Sequence, residues 1–125
     1  MGGASGDGVV FKLTPGGTES VLLSFNGTTG GYGPYDGLAR DAGGNLYGTT
    51  VMGGSGTGCE SNGCGVLFGL TTTGREIVLH DFTLSSSSDG AYPYGGVVRD
   101  PSGNLYGTLS EGGAYDCGAI FKFTP

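Results

Sequence analysis

Apolar residues in this chain come in short, unbroken runs. Val9-Val10-Phe11, Val21-Leu22-Leu23, Val66-Leu67-Phe68 and Ile77-Val78-Leu79 are each bounded by clusters of Gly, Thr, Ser and Asp. Nothing repeats every 3.6 residues, so no helix longer than a turn is expected. Runs this short, rich in Val, Leu, Phe and Thr, predict strands. A strand with one wet face would alternate, so continuous runs imply strands covered on both faces. Four strand types follow: A in GLARD (37–41), B in NLYGTT (45–50), C in GVVFKLT (8–14) and D in SVLLSF (20–25). The chain should contain nine strands in the order C, D, A, B, C, D, A, B, C.

That order exists because the chain repeats itself. RDAGGNLYGTT (40–50) is echoed by RDPSGNLYGTL (99–109), and between Pro34–Thr49 and Pro93–Thr108 eleven of sixteen positions are identical. GVVFKLTPGG (8–17) matches GVLFGLTTTG (65–74) and the final GAIFKFTP (118–125), and ESVLLSF (19–25) matches EIVLHDF (76–82). A period of about 53–59 residues lies near that of propeller blades. The predicted fold is therefore all-β: propeller-like blades of four antiparallel strands, about two repeats plus one extra strand. Residues 1–125 read as a single domain of tandem repeats, with boundaries near 7–63 and 64–116 and a third repeat beginning at 117.

The A–B and C–D turns (DAGGN, DPSGN, TPGGT, TTTGR) are rich in turn formers. Asp41 and Asp100 are expected to accept backbone N–H groups across the A–B turns. Glycine supplies positive φ, Leu46 and Leu105 pack inside, and Tyr47 and Tyr106 fill the space between blades. One Asp per turn makes a poor calcium cage. Arg40 and Arg99 each precede the turn Asp and are expected to pair with it.

Composition narrows the function. Five basic against eleven acidic residues give a net charge of −6, which repels a phosphate backbone and makes nucleic acid an unsuitable partner. No apolar run approaches the ~18 residues of a membrane span. The N-terminal MGGASGDG reads as neither a signal peptide nor, with Gly6 at the sixth position, a myristoylation site. His80, the only histidine, stands in a D strand as a packed or edge residue without a paired acid in sequence. No nucleophile motif is present and nothing calls for a cofactor or metal, so the chain is expected not to be an enzyme.

Antiparallel order places the B–C and D–A connections together on one face, and these differ most between repeats. They carry Tyr32, Tyr35, Asp36, Tyr92, Tyr94 and Tyr115, with Glu60, Asp89 and Glu111. Tyrosines with carboxylates suit sugar faces and hydroxyls, or a solvated rim; Tyr35 and Tyr94 also recur after a proline, as packing residues would. Cys59 and Cys64 are spaced for a disulfide, which fits an oxidising compartment; Cys117 matches Cys64 in position but has no partner in its unit. Asn26-Gly27-Thr28 is a glycosylation sequon.

GLARDAGGNLYGTTVMGG, followed by the pattern of GVVFKLTPGG and VLLSF, resembles the GloVer tandem repeat of bacterial choice-of-anchor proteins. The D..GNLYGT core is also similar to blades of two-component-regulator and kelch-like propellers. The resemblance covers practically the whole chain. It implies a secreted or surface-displayed bacterial β-propeller, normally within longer chains bearing a signal peptide and a C-terminal anchor, and it brings no catalytic residues with it. Two function classes follow. One is a self-assembling structural module, joined to other copies of itself through its terminal strands as a ring or filament. The other is a lectin-like propeller that binds a glycan or protein through the variable loops.

Overall fold

The computed structural model describes residues 2–125. It is all-β, with no helix among these residues. Strands β1 (Val9–Leu13) and β2 (Glu19–Ser24) form a two-stranded sheet. Strands β3 (Ala39–Arg40), β4 (Leu46–Thr50), β5 (Val66–Leu70) and β6 (Glu76–Asp81) form a four-stranded sheet in chain order. Strands β8 (Val98–Arg99), β9 (Leu105–Leu109) and β11 (Ala119–Phe123) form a three-stranded sheet with β9 in the middle. All pairings are antiparallel, and the sheets stay separate rather than closing on one another.

These nine strands follow the C, D, A, B order read from the repeat, and two short ones add to them. Strand β7 (Gly90–Ala91) pairs with β10 (Glu111–Gly112), joining a D–A connection to a B–C connection. The earlier repeat does the same with a single bridge, Tyr32 to Met52. Both contacts depend on facing glycines: a Cβ on Gly112 would collide with Gly90 Cα, and one on Gly53 with Gly31 Cα. Expecting nine strands omitted this pairing because it links loops far apart in sequence.

The repeat is also one of register. In the central sheet Gly48 faces Phe68, and in the last sheet Gly107 faces Phe121. A side chain at Gly107 would strike the Phe121 ring, and one at Gly48 would strike Leu38 and crowd the Phe68 ring, which explains the Gly shared by both NLYGT segments. Both C–D hairpins carry a bulge at one place, between Val10 and Phe11 and between Leu67 and Phe68. The bulge bends the D strand and increases the local twist.

Neighbouring sheets meet through a repeated aromatic joint. The phenylalanine after each D strand packs edge-on against the C-strand phenylalanine of the next sheet. Phe25 meets Phe68 at 5.2 Å and 74°, and Phe82 meets Phe121 at 5.0 Å and 60°. Around these joints lie two apolar clusters, one built on Val10, Phe25, Val66, Phe68 and Leu70, the other on Leu67, Phe82, Val97, Leu105 and Leu109.

The A–B turns are held as expected, with one addition. Asp41 Oδ1 accepts the Asn45 N–H at 2.9 Å, while Oδ2 accepts Asn45 Nδ2 at 2.9 Å and the Tyr47 hydroxyl at 3.0 Å. Asp100 makes the same three bonds with Asn104 and Tyr106. These bonds, that from the Asn45 side chain foremost, hold the Asp41 carboxyl down at about 2 and lower Asp100 likewise. The expected ion pairs of Arg40 and Arg99 with these carboxylates do not form: the only ion pair among the described residues is His80–Asp89. The Asp oxygens are already occupied by Asn and Tyr. The guanidinium groups instead lie beside Gly44 and Gly103, at φ +90° and +89°, where a side chain would crowd them.

Candidate functional site on the loop face

The D–A connections bring equivalent residues of two repeats side by side. Asp36 is the clamp. Its Oδ1 accepts the N–H of Gly37 at 2.6 Å and its Oδ2 that of Gly96, sixty residues away, at 2.7 Å. These two backbone donors, that of Gly37 first, lower the Asp36 carboxyl below its usual range. The Thr49 hydroxyl donates to Gly95 O at 2.9 Å from the neighbouring B strand. The segment 93–96 is thereby fixed against the preceding repeat. Tyr35 and Tyr94 then stand with ring centroids 6.2 Å apart and planes tilted by 32°. Such a pair contributes about 0.5–1.5 kcal/mol to the joint. Yet the rings remain 60% and 58% exposed, so packing uses only part of each.

Tyr92 is the unusual member. Its φ is +56°, in the left-handed region, at the place where the previous repeat has Gly33 at φ +71°. A residue with a Cβ in that conformation costs about 1–2 kcal/mol relative to glycine. Its N–H donates to Cys64 O at 3.0 Å, and its carbonyl shares the Ser110 N–H with Ala91 O. Burial first, then the negative charges of Glu111 and Glu60 and the proximity of Tyr94 and Tyr32, raise the Tyr92 hydroxyl above its ordinary value. Tyr92 thus feels two carboxylates while packing partly against the apolar core, and Tyr35 and Tyr94 stand beside each other on the surface.

Tyr115 is not drawn into this set. Its ring is 90% exposed, and it is not among the groups that perturb Tyr92. Asn26 is exposed, with its side-chain oxygen accepting from the Thr28 hydroxyl at 2.8 Å. Cys59 and Cys64 form the expected disulfide, and Cys117 is free and exposed. Cys64 is fully buried beneath the loop that carries Tyr92, so the bridge supports this face from below.

His80 does have an acid, which its sequence neighbourhood did not disclose. Its Nε2 lies 2.9 Å from Asp89 Oδ2, and its ring packs on Phe82 at 5.0 Å. Asp89 also accepts the Thr83 N–H at 3.2 Å, closing the loop that follows β6 on itself. The pair borders a groove of about 570 Å³ along the outer edge of β11. Nearby, Ser86 and Ser88 hydroxyls bond to one another at 3.0 Å. Asp89 could be found from sequence only by asking which acids sit in the same D–A loop as the histidine.

Charge is unevenly placed. Lys12 and Lys122 lie on C strands, Arg40 and Arg99 end A strands, and Arg75 sits in a C–D turn. The D–A and B–C connections contain Asp36, Glu60, Asp89, Glu111 and Asp116 but no Lys or Arg. This face repels anions.

A family model described as the Gloeobacter/Verrucomicrobia repeat matches residues 1–125. The chain belongs to that repeat family. No curated protein and no solved structure matches it. Within this Gloeobacter/Verrucomicrobia repeat chain, the features that recur between units are those just described: the turn Asp, the strand glycine opposite phenylalanine, and the edge-on phenylalanine pair.

Proposed function

We propose that this chain is a non-enzymatic structural module of a propeller-like array, and that copies of it join through their open sides. The observation that carries the reading is the aromatic joint. It is made twice, at Phe25–Phe68 and Phe82–Phe121, while the equivalent Phe11 lies 57% exposed on the first sheet. At the other end, β11 has no D strand beside it among the described residues, and Ile120 is 81% exposed. An unpaired strand edge next to apolar surface is a template for another strand.

The repeat says which strand fits. β11 and β1 are equivalent, and β1 pairs with β2 through Val10↔Leu23 and Phe11↔Val21. A β2 strand from a second copy would then lie beside β11 with Ile120 opposite Leu23 and Phe121 opposite Val21, completing a four-stranded sheet. The β1 strand of that copy is displaced. The contact is heterologous, so it propagates as a ring if the rotation closes and as a filament if it does not. The Cys59–Cys64 disulfide supports an oxidising, extracellular setting.

Light scattering coupled to size exclusion tests this. The full chain at micromolar concentration should exceed monomer mass, and removing 118–125 should reduce it to monomer. A full chain that stays monomeric across that range overturns the reading.

A further inference from the structure

We infer that the groove between the first two sheets is a socket for Tyr106 of a second copy of this chain. This rests on the edge-to-edge association proposed above and names the residue that such association inserts.

The groove, of about 680 Å³, runs between the open edge of β1 and the A strand β3, and Phe11, Leu22, Leu38, Arg40, Leu46 and Leu70 line it. The equivalent joint between the second and third sheets is closed. Leu38 is 39% exposed, whereas Val97, in the same place one repeat later, is 7% exposed. Leu46 is half-buried and Leu105 is fully buried. The side chains are of one kind at both joints, so they do not account for the difference. A tyrosine does. At the closed joint Tyr47 of β4 packs against the apolar cluster that holds Val97 and Leu105, and β3 lies against β8. The Tyr47 ring also covers the C strand beside it, where a Cβ on Gly69 would stand 3.4 Å from the ring. The first sheet consists of β1 and β2 alone, so among the described residues no B strand supplies this ring to the open joint.

The charges at the two joints differ in the same way. Burial first, and then the bonded Asp41 carboxylate, raise the Tyr47 hydroxyl above its ordinary value, and Arg99 of the next sheet acts against them. Arg99 thus has the Tyr47–Asp41 pair of the preceding sheet near it. Arg40, in the same place at the open joint, makes no ion pair among the described residues, and its guanidinium lies against Gly44 at the border of the groove. Tyr106 and Asp100 form a second copy of the Tyr47–Asp41 pair, with the hydroxyl donating at 3.0 Å in both. They sit on the last sheet, where Tyr106 has only the Lys122 ammonium over its ring. When β11 takes the place of β1 beside a neighbour's β2, it brings β9 with it, because the two are paired through Lys122↔Tyr106. Tyr106 then enters the neighbour's groove as Tyr47 enters the internal joint, and Asp100 comes before Arg40. An acid meets an unpaired cation there, which fixes the register of two chains that otherwise repel through their net charge of −6.

Photocrosslinking of the assembled full chain tests this, with p-benzoylphenylalanine in place of Tyr106 and heavy-isotope-labelled copies mixed with unlabelled ones. Crosslinks should run from one copy to residues 38–46 or 70–74 of another. In light scattering, Tyr106→Ala and Arg40→Glu should each weaken association about tenfold or more, and Arg40→Lys far less. Thermal melting in dilute solution separates docking from folding: Tyr106→Ala should shift the midpoint less than Tyr47→Ala does. Association that persists with crosslinks outside the groove, or unchanged in both Tyr106→Ala and Arg40→Glu, removes the socket and leaves the edge pairing standing. A midpoint lowered as much by Tyr106→Ala as by Tyr47→Ala would mean that the ring serves its own sheet, and the socket falls again. A full chain that stays monomeric overturns both.

Discussion

Strands β5 and β1 are nearly the same strand in different company. Val-Leu-Phe-Gly-Leu and Val-Val-Phe-Lys-Leu pair with their D strands in one register, with one bulge at one place. Phe68 is nevertheless fully buried and Phe11 is 57% exposed; Leu70 is 2% exposed and Leu13 is 60%. Hydrogen bonding within the hairpin is therefore not what creates the core. β5 has a B strand on its other edge and a sheet on each face, whereas among the described residues β1 has neither a B strand beside it nor a sheet before it. Burial in this architecture belongs to the neighbours. The C strands differ most plainly at their fourth residue: Lys12 and Lys122 stand where β5 has Gly69, and Lys122 extends over the Tyr106 ring with its ammonium 5.7 Å from the centroid.

The contrast can be broken most forcefully at the paired phenylalanines. Phe68→Ala should destabilise the chain by about 3–5 kcal/mol in urea titration, since a full ring leaves a packed joint. Phe11→Ala should cost under about 1 kcal/mol in dilute solution. A larger cost for Phe11→Ala at high protein concentration than at low would show that copies cover that ring. Equal costs for the two variants in dilute solution would contradict the burial difference.

A smaller effect compares the two B–C connections. Replacing Cys59 and Cys64 together with serine should lower stability by about 2 kcal/mol, the loop-closure expectation for so short a ring. Cys117→Ser, at the position equivalent to Cys64 but exposed, should change nothing measurable by the same titration. Destabilisation by Cys117→Ser would mean that its thiol is covered or bonded in solution.

The smallest effects are those of pH, and they have opposite signs in two places. Asp41 is depressed from 3.8 to about 2 and Asp100 is also lowered. Their stabilising contribution is present above the ordinary carboxylate value and is lost as pH falls through the folded value. Asp41→Asn should therefore flatten the acid limb of a melting-temperature profile. Glu76, at the start of β6, is raised by burial, and its Oε1 has no hydrogen-bond partner. Its contribution is present below the ordinary glutamate value and is lost as pH rises through the raised one. Glu76→Gln should thus raise the melting point at neutral pH and have little effect in acid. The reverse order in either variant would refute the assignment.

Much of the fold could be read from sequence because the determinants are local. Continuous apolar runs, turn residues and a repeat that restates each strand were enough to place the nine principal strands. The A–B turns were legible for the same reason, since Asp41, Asn45 and Tyr47 lie within one turn and one strand. What escaped was long-range. Asp36 reads as a surface acid until Gly96 is brought to it across sixty residues. The β7–β10 pairing joins two loops whose sequences give no strand signal. Arg40 and Arg99 were misread because adjacency to an aspartate says nothing about which way that carboxylate already faces. On the loop face, sequence listed Tyr32, Tyr35, Tyr92, Tyr94 and Tyr115 as one pool, of which Tyr115 stands apart by its exposure. Only the left-handed backbone of Tyr92 against Gly33 separates it from the rest, and a signal existed: the repeat offset sets a tyrosine against a glycine there.

The edge-on phenylalanine joint has a further consequence for any longer array of these units. When every interface is the same object, the polypeptide behaves as a one-dimensional lattice with nearest-neighbour coupling. Each added unit brings one intrinsic folding term and one coupling term, so stability climbs in even steps and opening begins at the ends. Amide exchange would then be slowest in the middle and quicken outward, sheet by sheet. Selection acting on such a protein can adjust its persistence by changing the number of units, leaving the amino acids of each joint untouched.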